Sequence, residues 1–379
     1  MRGHATGQTT LLWRSPESMI PAGHPLRRIK PLADTALRRM APALDALYAP
    51  GGRPSIPPER LLKAHLLIAL HSVRSERQFC EQLGYNMLFR WFLDMNPDEE
   101  AFDATVFSKN RRRLAEHDTG RALFAEVVRL ADEQDLLSDE HFTVDGTIVE
   151  ACAAVKSMRP RGESPADRPP PDDPGNPTVD FRGEKRRNAT HVSTTDPDSR
   201  LYRKSNATTP RLCFLGHALM ENRHGLLVDV AVTTATGMAE REAALAMLDR
   251  RARPAATLGA DKGYDTRDFV AALAARGIAP HIAANDTATH ATAVPAAVRA
   301  TAGYATSLRL RKLVEEIFGW GKTVGGLRRM RVRGRPRVET QVHFIGAAYN
   351  LVRLAGLLAR RMAAMLAAAP PATVAAPAA

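Results

Sequence analysis

The 379-residue chain predicts an α/β protein with a mixed β-sheet, preceded by an all-helical N-terminal region. Three observations carry that expectation. Residues 50–135 show the apolar spacings of successive helices. The texture changes at His141, where HFTVDGTIVEA alternates apolar and polar residues and is rich in β-branched side chains. A hairpin pattern follows, and then helices alternate with short apolar strands, an order that puts antiparallel and parallel pairs into one sheet.

Residues 1–49 read as an N-terminal arm, although Leu32, Leu37, Met40, Leu44 and Leu47 recur at helical spacing over 27–48. Residues 50–138 form the helical unit. Gly51-Gly52 makes a turn, and Pro57-Pro58-Glu59 pre-sets the first turn of a helix. That helix, ERLLKAHLLIALH at 59–71, is apolar on all but one side and should be buried. A second helix starts near Ser75 and stops at Gly84, NMLFRWF (86–92) adds aromatics to the same core, and Thr105 is placed to cap the basic helix TVFSKNRRRLAEH. Residues 139–357 form the α/β unit. After the strand at His141, the segment 157–180 is rich in proline and poor in apolar side chains, which predicts a disordered loop. Two alternating runs around Asn222–Gly225 predict a hairpin. A helix (238–251), a strand ending in GAD (256–261), a helix (267–276), a short strand (278–284), a strong helix (308–322) and a last helix (338–363) complete it. Three antiparallel strands followed by alternating helices and parallel strands match a ribonuclease-H-like core. Residues 358–379 are an Ala/Pro-rich tail.

Composition narrows the function. Apolar residues make up 44% of the chain, enough to bury a core. Lys and Arg number 53 against 41 Asp and Glu, a net charge of +12 that suits a polyanionic partner. Cys80, Cys152 and Cys213 are scattered, which excludes a disulfide scaffold and a cysteine-rich zinc site and fits a reducing, cytoplasmic compartment. The N-terminus lacks a signal-peptide apolar run, and no membrane span is expected. Gly321-Lys322-Thr323 imitates the end of a P-loop, but Glu316 stands where its first glycine should be, so no nucleotide-cofactor site is expected.

Three acids stand at element ends where a charge is awkward. Asp145 lies within the first strand, Asp261 ends the apolar TLGAD, and Glu315 sits in the amphipathic RLRKLVEEIFGWGK. A carboxylate in a buried strand costs several kcal/mol unless it is paired or metal-bound. Carboxylate oxygens without His or Cys favour Mg²⁺ or Mn²⁺ over zinc. Two such ions about 4 Å apart can activate water and stabilise a departing 3′-oxygen in phosphodiester cleavage. On one continuous helix Arg311, Glu315 and Lys322 fall within about 60° of one another, whereas Glu316 points about a quarter-turn away. The alternative for each acid is an exposed strand end or a solvated ion pair.

The blocks TVDGTIVEA, ADKGYDTRDF and YATSLRLRKLVEEIFGWGK together resemble the DDE transposases of bacterial insertion sequences, specifically the insertion-sequence-five type. The spacing Arg311-x3-Glu315-x6-Lys322 fits that family's third block. Its tyrosine has no counterpart at the strict spacing, where Leu308 stands, and Tyr304 lies four residues earlier. SIPPERLLKAHLLIALHSVRSERQFCEQLGYNMLFRWF with TVFSKNRRRL is similar to the family's helical N-terminal domain, and FRGEKRRNATHVSTTDPDSRLYRKS, GHALMENRHGLLVD and TGMAERE are similar to its sheet and following helix. The resemblance implies a ribonuclease-H-like catalytic domain and a triad of Asp145, Asp261 and Glu315 that binds Mg²⁺ or Mn²⁺. It also implies cleavage at transposon ends, joining to target DNA, and double-stranded DNA carrying terminal inverted repeats as partner, with a homodimer in the synaptic complex.

Two basic segments could meet DNA phosphates. TVGGLRRMRVRGRPR carries Arg328, Arg329 and Arg331 among six arginines and no acid, and the 105–117 helix carries Lys109, Arg111, Arg112 and Arg113. Two rivals remain open on sequence: a nuclease of the same fold that hydrolyses without joining, and a DNA-binding regulator with an inert α/β part.

Overall fold

The computed structural model describes residues 15–49, 51, 55–162, 178–204, 207–251, 253–287 and 291–368. The chain begins with α1 (Pro16–Met19), capped by Ser15, and α2 (Leu26–Asp45). These are not a free arm. The α2 face of Ile29, Leu37, Met40 and Leu44 is buried in the main core, and Arg27 and Trp91 both donate to the Glu17 carboxylate. Next come α3 (Pro58–Leu70), α4 (Glu76–Leu83) and α5 (Met87–Phe92). Ser75 and Asn86 cap the last two, each side chain accepting from the N–H three residues on. In α6 (Ala104–Glu116) the cap is Asp103 rather than Thr105. Its carboxylate accepts the Thr105 N–H at 2.7 Å, which leaves Thr105 already inside the helix. The helical region ends with α7 (Thr119–Glu133).

The α/β part opens with β1 (His141–Glu150), followed by the short β2 (Met158–Pro160), β3 (Val179–Phe181), β4 (Glu184–Arg186), β5 (His191–Ser193) and β6 (Arg200–Tyr202). The segment 157–180 is therefore not wholly loop. Its described ends pair as β2 with β5 and β3 with β4, and residues 163–177 lie outside the described residues. The hairpin of β7 (Arg211–Glu221) and β8 (Leu226–Thr234) turns at Asn222–Gly225, where the buried Glu221 carboxylate accepts the N–H groups of Arg223 and His224. Then come α8 (Ala239–Asp249), β9 (Thr257–Ala260), α9 (Arg267–Ala275) and β10 (Ala279–Ile282).

The sheet runs β10-β9-β1-β7, with β6 and β8 both pairing with β7. β10, β9 and β1 are mutually parallel, and β1, β7 and β8 antiparallel, so the expected mixed sheet is present. Cys213 of β7 faces Glu150 of β1 on one side and Arg200 of β6 on the other, so β6 continues the line of β8.

The helix expected at 308–322 is broken. After α10 (Ala296–Arg299), α11 (Ala302–Leu310) starts six residues early, a 3₁₀ turn spans Arg311–Leu313, and α12 (Val314–Thr323) follows. The two halves answer to different supports. In α11 the Tyr304 hydroxyl donates to the Ile282 carbonyl of β10 at 2.8 Å, and Ser307 Oγ lies 2.6 Å from His281 Nδ1. In α12, Val314 and Ile317 are buried in the other cluster, beside β1. The tighter turn takes up the mismatch.

The last helix, α13 (Arg335–Ala368), is long and apolar enough to cross a membrane by length and composition, but 67% of its apolar window is buried inside the protein. It packs on α2, α3, α7 and β8. One apolar cluster therefore runs from Ile20 to Ala355 through both the helical region and one face of the sheet, and a second gathers α8 and α9 around Phe142 and Val144 of β1.

Candidate active site

Parallel β1 and β9 pair up to Thr143 and Gly259 and then part. Asp145 and Asp261 each lie two residues beyond that last pair, Asp145 still within β1 and Asp261 just past the end of β9. The acids turn their side chains along their own chains. Asp145 Oδ1 accepts the Gly146 N–H at 2.7 Å, and Asp261 Oδ1 accepts the Gly263 N–H at 2.8 Å, capping the short 3₁₀ turn Lys262–Tyr264. Each carboxylate keeps a second oxygen without a partner among the described residues. Burial raises the Asp145 carboxyl above its ordinary value, and Asp261 adds to the rise. The Gly146 N–H and the cations Lys204 and Arg311 oppose it.

A third acid joins them that the sequence did not single out. Glu240, in the first turn of α8, has its carboxyl raised by burial and then by Asp145 and Asp261. Its approach is close: a Cβ on Gly146 would lie 2.6 Å from Glu240 Oε1. Any side chain at 146 would force the Glu240 carboxylate to move. The sequence offers an acid at a helix start followed by a basic residue, a pattern equally expected of a solvated helix N-terminus.

Arg311 and Lys322 both feel the charge of Asp145, so they face the site from the 3₁₀ turn and α12. Burial lowers the Lys322 ammonium, Lys204 and Arg328 push the same way, and Asp145 opposes them. Glu315 lies between Arg311 and Lys322 along the chain but is exposed, and it makes no hydrogen bond or ion pair among the described residues. Glu316 points elsewhere, 3.7 Å from Arg353 of α13. As the side chains stand, no three His, Cys, Asp or Glu among the described residues converge closely enough to hold a metal ion. The donor set still suits a hard cation: three carboxylates on β1, after β9 and on α8, two of them raised by burial and then by the neighbouring acids, with no imidazole or thiolate among them.

Beside the acids opens a basin of about 490 Å³ lined by Tyr202, Arg203, Lys204, Arg211, Lys322 and Arg328, among others. Lys204, Arg203 and Arg211 are further site residues missed in sequence, because they come together only through the β6–β7 pairing. The arginine run is not a loose loop. Glu150 N–H donates to the Arg328 carbonyl at 3.1 Å and Met330 N–H to the Glu150 carbonyl at 2.8 Å, which pairs Arg329 with the end of β1. Leu327 and Met330 are buried beneath, while Arg328, Arg329 and Arg331 are exposed. On α6, Lys109, Arg112 and Arg113 are exposed, but Arg111 is paired with Glu76 and Arg113 lies 4.8 Å over the Tyr48 ring. That patch is partly committed to the fold.

Residues 14–113 match the family described as Transposase domain (DUF772), and residues 187–351 match the Transposase DDE domain family. The second match contains Glu240, Asp261, Arg311, Glu315, Lys322 and Arg328, while Asp145 lies between the two matched stretches. No curated protein and no solved structure matches the chain. The two matched stretches are thus similar to a transposase domain and to a transposase DDE domain, and together they support a DDE transposase of an insertion sequence.

Proposed function

We propose that this transposase cuts the ends of an insertion sequence of the insertion-sequence-five type and joins them to target DNA by metal-dependent phosphoryl transfer. The observation that supports it best is the pair Asp145 and Asp261, each two residues beyond the last pair of β1 with β9, beside a basin of cations. Strands in the order β8-β7-β1-β9-β10, with β7 alone reversed among the central three, are those expected of a ribonuclease-H-like core. Asp145, Asp261 and Glu315 would hold Mg²⁺ or Mn²⁺. When bound, two such ions activate the attacking oxygen and neutralise charge on the departing one.

The protein's own contribution is positioning and charge, since phosphoryl transfer needs little covalent help from side chains. Lys322 of α12 and Arg311 of the preceding 3₁₀ turn, both near enough to Asp145 to feel its charge, are set to grip phosphate oxygens next to the scissile bond. Lys204, Arg211 and Arg328 extend the grip along the backbone. Asp145 and Asp261 are anchored by backbone N–H groups, so each presents one oxygen to the reaction in a fixed direction. Glu315, exposed between Arg311 and Lys322 along the chain, would have to turn toward the other acids to join them.

A pre-cut terminal repeat mixed with a supercoiled target in Mg²⁺ tests the proposal. Joined product that vanishes in Asp145→Asn is the expected result. Hydrolysis with no joined product would assign the site to a nuclease, and neither reaction in the wild type would favour a DNA-binding regulator.

A further inference from the structure

Building on the reading of Asp145 and Asp261 as metal ligands, we propose that Glu240 is a further carboxylate ligand of the divalent cation, and that Gly146 is glycine to let it reach. Glu240 and Asp145 flank the same residue. Asp145 Oδ1 takes the Gly146 N–H, and Glu240 Oε1, Cγ and Cδ occupy the space a Gly146 side chain would need, at 2.6, 2.9 and 3.0 Å from the Cβ position. No hydrogen bond or ion pair engages the Glu240 carboxylate among the described residues, although Arg241 is adjacent. The Arg241 guanidinium is instead spent on the carbonyls of Gly263 and Gly237.

A second observation points to a missing ligand at the same place. The Tyr264 side chain is 0% exposed, and its hydroxyl has no hydrogen-bond partner among the described residues. Its charged neighbours are Glu240 foremost, then Asp145 and Asp261. A fully buried hydroxyl without a partner carries its desolvation cost uncompensated. This one sits against three carboxylates that repel one another, so both costs fall together when a cation and its water shell enter. Other acids nearby are fully committed and make the contrast. Asp265 accepts the N–H groups of Asn285 and Ala293, and Glu221 caps the β7–β8 turn.

The test is Mn²⁺ binding to the full-length protein without DNA, followed by the paramagnetic resonance of free Mn²⁺ and by the metal-induced rise in Tm. Glu240→Gln is isosteric and should weaken Mn²⁺ binding by about tenfold or more, because ligand charge sets affinity at oxygen sites. Gly146→Ala, which displaces Glu240 while leaving its charge, should do the same, whereas Glu316→Gln should leave binding unchanged. If Glu240→Gln binds Mn²⁺ within about twofold of wild type while Asp145→Asn does not bind, this inference fails and the proposed function stands. If Asp145→Asn binds as tightly as wild type, the metal-site reading itself fails. Absence of Mn²⁺ uptake by the wild type also overturns the inference, since the carboxylates would then fail to close on a cation in the folded protein.

Discussion

Asp145 shows how much a single residue owes to its surroundings. Burial favours its neutral form, so the folded chain holds a proton that the unfolded chain has already released, and Glu240 behaves alike. Folding then takes up protons, and these groups cost stability as pH rises from the ordinary carboxylate values of 3.8 and 4.5 through the raised folded ones. In EDTA, Asp145→Asn should therefore gain Tm over wild type as pH is raised from about 4 to 8, the gain levelling once both carboxyls are ionised. Parallel melting curves across that range would contradict the burial argument. In catalysis the same substitution acts the other way. Asp145→Asn, Asp261→Asn and Glu315→Gln should each abolish end cleavage in Mg²⁺ while gel-shift affinity for the terminal repeat stays within a few-fold. Glu316→Gln should be mild, because that side chain faces Arg353. An essential Glu316 beside a dispensable Glu315 would mean that α12 presents its other face to DNA.

The arginine segment between α12 and α13 is held by its backbone, so its side chains can be removed without losing its place. Arg328→Ala, Arg329→Ala and Arg331→Ala together should flatten the plot of log K against log salt by up to roughly three units, at about 0.9 per phosphate neutralised, on terminal-repeat and random duplex alike. An unchanged slope would show that these guanidinium groups stay in solvent when DNA binds. The α3–α13 contact gives a different kind of forecast. His65 is buried, stacks on Phe344 with ring centroids 4.5 Å apart, and has no partner for either nitrogen among the described residues. Burial lowers its pKa from 6.5 to about 3. As pH falls through 6.5 the unfolded chain gains a proton that the folded chain refuses, so stability drops until about pH 3. His65→Phe should remove that loss and add about 1–3 kcal/mol at neutral pH by deleting unsatisfied buried polar atoms. Urea melts at pH 7 and pH 5 would check both parts, and a loss at pH 7 would mean the ring nitrogens are hydrated.

Across the whole molecule, the expected boundary near residue 138 does not divide the core. Val149 of β1, Leu227 of β8 and Leu354 of α13 share a cluster with Leu37, Leu66 and Leu130 of the helical region. Heating should give one cooperative calorimetric transition, and residues 139–379 expressed alone should lack a sharp melt and bind hydrophobic dyes, because α13 would expose the faces that α2, α3 and α7 cover. Two resolved transitions would restore the two-domain picture.

Local pattern by itself determined much of this protein. The alternation of HFTVDGTIVEA, the turn at Asn222–Gly225 and the apolar TLGAD predict β1, the β7–β8 hairpin and β9, because strand and helix periodicities are properties of a few neighbouring residues. Asp145 and Asp261 stood out for the same reason, as charges within and at the end of apolar strands. The tertiary structure alone decided what depends on residues distant in sequence. The break between α11 and α12 arises because Tyr304 is tied to β10 while Val314 and Ile317 are buried beside β1. The fixed place of Arg329 comes from the backbone of Glu150, and the entry of Glu240 depends on an empty space at Gly146, ninety-four positions earlier. A side chain's own sequence window carries no record of the space another element leaves for it, and only close packing of the finished fold creates that space.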